Sequence, residues 1–324
     1  MRSALGEVVL FSVLKSRLGA KLQGGGQSGI ALLEGSFAFA VVRRTPDSKP
    51  SVEHCAVHQY QGEAGPAVKS ALDRAGALRI PTCAVIDGDE YQLVQVEAPE
   101  VLPSEMRAAI RWRLKDAISF NVDEASVDVF EIPDPARRTQ QKMLFAVAAR
   151  DTAVQRIAMS LKSAAKGFNA IDIPELCLRN VTSILPQDQK GVAILAVNDK
   201  FAQLVITRQG ILYLTRRIDT TRRFEPHAQD RSALDAASLA LEIQRSLDYY
   251  ESHFDQAPIG DLVLAPADDR VRKLADDLKN ETSLRIAVLD AREHLVVHKT
   301  GEVVPDWASL MALGAALRTE AADG

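Results

Sequence analysis

The run GVAILAVNDKFAQLVITRQGILYLTRRI, residues 191–218, constrains this chain more than any other stretch. It reads as two apolar strands around a tight turn at Gln209 and Gly210, and such a hairpin has to seed a sheet with a core behind it. The loop at Val197–Lys200 raises a functional question. It is either a phosphate cradle or the remains of one.

The chain has 324 residues and 47% apolar content, enough for two domains or one composite fold without staples. Its formal net charge of -4 supplies no basic field, so nucleic acid is not an expected partner. Cys55, Cys83 and Cys177 are widely spaced and form no CxxC pair, which fits a reducing compartment and a cytosolic location. The apolar run VVLFSVL at 8–14 falls far short of the roughly 20 residues of a bilayer span. With Lys15, Arg17 and Lys21 behind it, the first 22 residues read as a basic amphipathic helix resting on a membrane surface or a neighbour, or as a frayed terminal helix.

After the flexible joint QGGGQSG at 23–29, three strand-like runs form a meander, and a helix opens near Pro66 and ends near Gly76. TCAVIDGDEYQLVQVEAP reads as a hairpin, because Asp87 and Gly88 suit a two-residue primed turn. Leu102, Met106, Ile110, Leu114 and Ile118 recur at steps of four and predict a helix with a basic opposite face. KMLFAVAAR at 142–150 is apolar enough to be buried on both faces, and Asp151 starts a helix that stops at Gly167. The block 100–166 therefore reads as a small inserted α+β module. Beyond a strand at FNAIDI and a helix opening at Pro174, the second half runs meander, helix, strand, helix, strand, helix. Two halves so built resemble the actin/Hsp70-like (ribonuclease H-like) α/β architecture, in which nucleotide lies in the cleft between two lobes.

Several stretches in order, LPSEMRAAIRWRLKDAISFNVDEASVDVFEI, GILYLTRRI, LALEIQRSLDYYESHF and LMALGAALR, resemble the PilM/MshI family of actin-like type IV pilus biogenesis proteins. The resemblance spans about 29–318. It implies a division into an N-terminal segment and glycine linker at 1–28, a first lobe at 29–186 including the inserted domain at about 100–166, a second lobe at 187–318, and a tail at 319–324.

The nucleotide motifs of that family are where the chain departs from it. Where the family's first phosphate loop has its aspartate, this chain has Ala31. At the second loop, alignment on Gly210 puts Ala196, Val197 and Asn198 in place of the family's Asp-hydrophobic-Gly, and the adenosine-side glycines correspond to Ala265 and Pro266. A phosphate turn needs glycine so that backbone N–H groups can approach the oxygens, and carboxylates to hold magnesium. With these gone, ATP and magnesium are not expected as cofactors, and Asp199 is the nearby carboxylate for a minority reading that keeps them.

Other candidates are weaker. HCAVH at 54–58 and HLVVH at 294–298 read as strand, where four residues separate the rings by about 13 Å at roughly 3.3 Å per residue, too far for one ion. The glycines at 24–26 lack the Gly-Lys-Ser/Thr of a P-loop. Arg216, Arg217, Arg222 and Arg223 cluster, but Asp219, Glu225 and Asp230 dilute them. No nucleophile triad or carboxylate pair stands out, so no metal site and no catalytic residue are expected.

The expected role is a nucleotide-independent scaffold, a pseudo-ATPase, in a type IV or MSHA-like pilus machine at the inner face of the inner membrane. The resemblance implies that its partner is the N-terminal cytosolic peptide of a PilN-like single-span protein, held in a groove of the first half by protein-protein interaction. Alternatives are an active actin-like ATP-binding assembly protein and the cytosolic domain of a GspL-like type II secretion component.

Overall fold

The computed structural model describes residues 9–10, 25–46, 48–86, 88–102, 105–133, 142–220, 235–298 and 303–319. A seven-stranded sheet has the order β1 (Val9–Leu10), β9 (Phe168–Asp172), β5 (Thr82–Val85), β2 (Gly25–Leu33), β3 (Ser36–Arg44), β4 (Ser51–Gln59) and β15 (Val296–Val297). Strands β2 to β4 form the expected meander, although β2 starts at Gly25, so that much of the stretch expected to be a flexible glycine joint is paired strand, with Gln27 and Ser28 buried; β5 and β9 run parallel to β2. Ile30, Phe37, Phe39 and Val41 are fully buried, so these strands need cover. Helix α8 (Trp307–Ala316) lies across β2 and β3, α1 (Ala64–Arg74) packs on β3, and α3 (Asp151–Lys162) packs on β9 and α1.

The run 191–218 makes three strands, because the loop at its first end is itself a tight turn. β10 (Val192–Val197), β11 (Phe201–Arg208) and β12 (Ile211–Asp219) form an antiparallel meander. β13 (Asp261–Ala265) and β14 (Arg285–Val288) extend it in parallel, giving the order β12-β11-β10-β13-β14. Helix α5 (Ala236–Phe254) buries Leu239, Ile243, Leu247, Tyr250 and Phe254, a stripe at helical spacing, and packs on β12. Helix α6 (Asp269–Leu278) covers β13 and β14. Between the two large sheets stands α4 (Pro174–Thr182), touching α8 on one side and β10, β11 and β12 on the other.

A third sheet has the order β6 (Tyr91–Glu97), β8 (Met143–Arg150) and β7 (Ala125–Glu131). Ile110 and Leu114 of α2 (Met106–Leu114) pack with Val96, Val127, Leu144 and Ala146 of this sheet, while Phe130, Phe145 and Val147 join the main core.

The expected hairpin through Asp87 and Gly88 does not form. Thr82–Val85 is wholly buried between parallel partners in the first sheet, whereas Tyr91–Glu97 pairs, among the described residues, only with β8, at an edge of the third. The chain changes sheets at that turn; Asp87 lies outside the described residues. Leu102, first of the expected stripe, precedes α2 and is 65% exposed. Of the amphipathic helix expected over residues 1–22, only Val9–Leu10 are described, and they are strand, paired parallel with Ala170 and Ile171. Residues 320–324 of the tail also lie outside. The chain returns late to the first sheet, since β15 pairs with β4 and α8 covers β2 and β3. No described helix is long and apolar enough to cross a membrane.

Candidate functional site

The structure gathers most of the sequence-derived nucleotide positions at one end of the second sheet. Ala196 on β10 is the register partner of Ala265 on β13, with Asn198 and Pro266 just beyond them. Ala31 lies in the other sheet, paired with Ala38 and Val85. All three alanines are buried, Ala196 and Ala265 completely, so methyl groups occupy these positions inside the core. β2 and β5 are parallel, which puts the 34–35 turn and residues 88–89 at the same end of the first sheet. Arg217, opposite Gln203 near the 198–200 turn, pairs with Asp89 at 3.3 Å. The turn-bearing ends of the two sheets are therefore joined by this surface ion pair, itself worth at most about 1 kcal/mol.

Both turns are closed by side chains, the first by its own Asn198 and the other by Tyr60 from beyond β4. Asn198 Oδ1 accepts the backbone N–H groups of Lys200 at 2.8 Å and Phe201 at 2.9 Å, and the Asn198 N–H donates to the Phe201 carbonyl. These are the amides a phosphate loop would turn toward oxygens; here an amide oxygen three atoms from the backbone already holds them. At the β2–β3 turn Gly35, with φ of 70°, makes the sharp reversal. The Tyr60 hydroxyl donates to the Leu33 carbonyl at 2.8 Å, and the Tyr60 N–H to the Gly35 carbonyl at 2.9 Å. Asp199, the candidate replacement carboxylate, pairs with Arg270 of α6 at 3.1 Å and is 95% exposed.

Aromatic packing fills the space beside the second turn. The Trp307 ring meets Phe201 edge-on at 5.4 Å, and the Arg217 guanidinium lies 3.8 Å over the same ring. Arg216 pairs instead with Glu242, so the expected arginine cluster is divided between two tasks; Arg222 and Arg223 lie outside the described residues.

His54 and His58, expected about 13 Å apart and facing solvent, are half-buried and stack at 6.0 Å between ring centroids. Both lean over Phe39, which stacks on His54 at 4.1 Å. His294 ends the short helix α7 (Ala291–His294) and His298 follows β15, so that pair is not one strand. Among the described residues no group of His, Cys, Asp and Glu is arranged to hold a metal ion. The Cys55 thiol donates to the Val303 carbonyl at 2.9 Å. Burial, and secondarily Asp306, pushes it up to about 12, which keeps it a thiol and a poor nucleophile.

Sequence reading missed the buried polar crossing of α4 and α8. Asp172 accepts from Arg318 at 3.1 Å, with both side chains almost fully buried, and Asn180 Nδ2 donates to the Gly314 carbonyl at 2.9 Å. Arg179 donates to Asn180 Oδ1 at 2.8 Å, and burial lowers its pKa. The only signal was polar side chains within or next to apolar stretches: Asp172 ends β9, Arg179 and Asn180 sit in α4, and Arg318 follows α8. Their partners lie 134 and 146 residues away in the chain.

No family model matches the chain, and no curated protein matches it. Among solved structures, the PilM-PilN type IV pilus biogenesis complex superposes with a TM-score of 0.64 at 16% identity, over 89% of this chain and 97% of that one. A Bacteroides thetaiotaomicron protein with an actin-like ATPase fold and unknown function gives 0.47 at 8% identity, over 84% and 93%. The cytoplasmic domain of EpsL, an inner-membrane component of the Vibrio cholerae type II secretion system, gives 0.47 at 11% identity, over 91% and 96%. The fold is actin-like.

Proposed function

We propose that the chain is a nucleotide-independent scaffold of a type IV pilus machine, MSHA-like in kind, and that it works at the inner face of the inner membrane. The observation that carries the first part is the 198–201 turn. Its amides are held by Asn198, its carboxylate by Arg270, and alanines stand at the neighbouring motif positions. A triphosphate would have to displace both partners and would find no glycine in the turn to let the backbone close on it.

The second part draws on the likeness to a complex of PilM with PilN. The partner would be the cytosolic tail of a PilN-like protein, and an open edge in the third sheet offers it a seat. Among the described residues β6 pairs on one side only, and beside it a groove of about 520 Å³ is lined by Val94, Val96, Trp112, Arg113 and Lys115. Trp112 is 79% exposed. An extended tail adding a strand to β6 satisfies its outward backbone groups, and an apolar side chain of the tail covers the indole.

Calorimetric titration with ATP and magnesium separates this reading from an active ATPase that relies on Asp199. No saturable heat is expected; micromolar binding overturns the scaffold assignment. Tail peptides of the membrane partner should shift the Trp112 fluorescence, and Trp112→Ala should weaken their binding. A GspL-like secretion role would instead show as preference for the tails of type II secretion proteins.

A further inference from the structure

A second cavity lies away from the cleft, at the opposite end of the first sheet. β3 runs nine residues from the 34–35 turn to Arg44, about 30 Å at roughly 3.3 Å per residue. There a cavity of about 530 Å³ opens between the turn after β3, the end of α4 and α7. Its lining brings together Arg44, Lys49 and His294 with the hydroxyl residues Thr45, Ser48 and Ser183; among the described residues Glu293 is its one carboxylate, its side chain 71% exposed, and Asp47 of the same turn lies outside the described residues.

The Arg44 guanidinium donates to the Leu317 carbonyl and, at 3.4 Å, to the Arg318 carbonyl. Lys49 Nζ donates to the Glu293 carbonyl at 2.7 Å. Among the described residues neither pairs with a carboxylate, and burial lowers the Arg44 pKa. Capping the carbonyl ends of α8 and α7 accounts for these contacts. It leaves most N–H donors of both groups uncommitted. It also does not account for a cavity of ligand size at their side, on an exposed turn whose Thr45 and Ser48 hydroxyls hydrogen-bond each other and would rotate to reach a ligand.

We infer that this cavity binds a phosphate-class oxyanion, with Arg44 and Lys49 supplying the charge and Ser48, Thr45 and His294 further donors. A planar guanidinium and a mobile ammonium converging on one space suit a tetrahedral anion with several acceptor oxygens. Arg44 ends β3 of the first sheet and Lys49 lies in its β3–β4 connection, and His294 belongs to α7, whose chain continues from the second sheet. A bound anion therefore clips the two halves together behind the cleft. The inference does not depend on the scaffold role, because none of these residues lines the cleft or the β6 groove.

The test is calorimetry of the full chain with inorganic phosphate and with pyrophosphate at low ionic strength, beside co-sedimentation with phosphatidylcholine vesicles with and without phosphatidylglycerol. Saturable binding is expected, and Lys49→Gln should weaken it about tenfold or more while leaving the thermal midpoint near wild type. Arg44→Gln should weaken it too, but Arg44 also holds the end of α8, so the lysine variant decides. Binding of the soluble anions identifies a free phosphate compound as the source; binding only to phosphatidylglycerol vesicles, abolished by Lys49→Gln, identifies a lipid headgroup. Absence of saturable binding in every arm, or binding that Lys49→Gln leaves unchanged, overturns the inference.

Discussion

Asn198 is the side chain on which the reading of the cleft turns most directly. If its Oδ1 closes the turn, Asn198→Gly removes an acceptor from two backbone N–H groups and should destabilise the chain by about 1 kcal/mol, the usual net value of such bonds. Asn198→Asp keeps the acceptor and should stay within a few tenths of wild type. Thermal melts of both variants check this; a glycine variant as stable as wild type would show that water serves the turn equally well. Asp128 makes a different prediction. It is buried in β7 with Arg107 at 3.3 Å, and burial raises its pKa from 3.8 to about 6 against the opposing effects of Arg107, the Val129 N–H and Arg318. Unfolded, the carboxyl titrates near about 4, so between the two values the folded chain keeps a proton that the unfolded chain has lost. Its stabilising contribution is complete below about pH 4 and is lost as pH rises through about 6. Asp128→Asn imitates the protonated form. Its stability should match wild type near pH 4 and exceed it progressively toward pH 7, by on the order of 2 kcal/mol. Urea melts across that range test the sign, and a difference constant with pH would contradict it.

Helix α8 shows how tightly the elements are fitted. A Cβ on Gly314 would lie 2.5 Å from the Cys177 carbonyl oxygen, and one on Gly29 would lie 2.0 Å from the Ala312 carbonyl oxygen. In both cases the obstacle is backbone, which cannot swing aside as a side chain can. Gly314→Ala should therefore cost about 3 kcal/mol by forcing α8 off α4, whereas Gly62→Ala in an open turn should show only the strain of its positive φ. The comparison, by chemical denaturation, separates close packing from turn geometry. The same helix marks what the sequence makes legible. Its existence and its limits follow from an unbroken apolar run with Asp306 capping the Ser309 N–H, and α5 follows from its stripe. Its destination does not, because an all-apolar helix has no preferred face to say which sheet it joins. The 82–99 segment failed for a related reason. Asp87–Gly88 satisfies the local rule for a hairpin, but the uniform burial of Thr82–Val85 serves a central parallel strand, a preference set by β2 and β9. At the candidate site, the identities of Ala31 and Ala196 were readable one residue at a time. The internal bonding of Asn198 and the capture of Asp199 by Arg270 needed the fold.

The return of the chain to its first sheet governs how the molecule unfolds. β15 pairs with β4, and α8 packs on β2, β3, β5 and α4, so the first sheet is completed only by residues from the far end of the sequence. Leu310, Met311, Leu313 and Leu317 of that segment are buried almost completely. At about 1.5–3 kcal/mol for each large apolar side chain, they amount to roughly 6–12 kcal/mol, comparable to the net stability of an ordinary domain. Removing the segment therefore forfeits enough to unfold what it covers, and Arg318 would leave Asp172 as an unpaired buried charge. A chain ending at Pro186 should fail to fold, although it contains six of the seven strands of that sheet. Supplying residues 303–319 on a flexible linker should restore cooperative melting to it if α8 is the missing cover. The full chain should accordingly lose the circular dichroism of its helices and the near-ultraviolet signal of Trp307 in one transition. Two well-separated transitions, with the Trp307 signal confined to either, would mean that the halves are stable independently and that the crossing of α4 and α8 couples them only weakly.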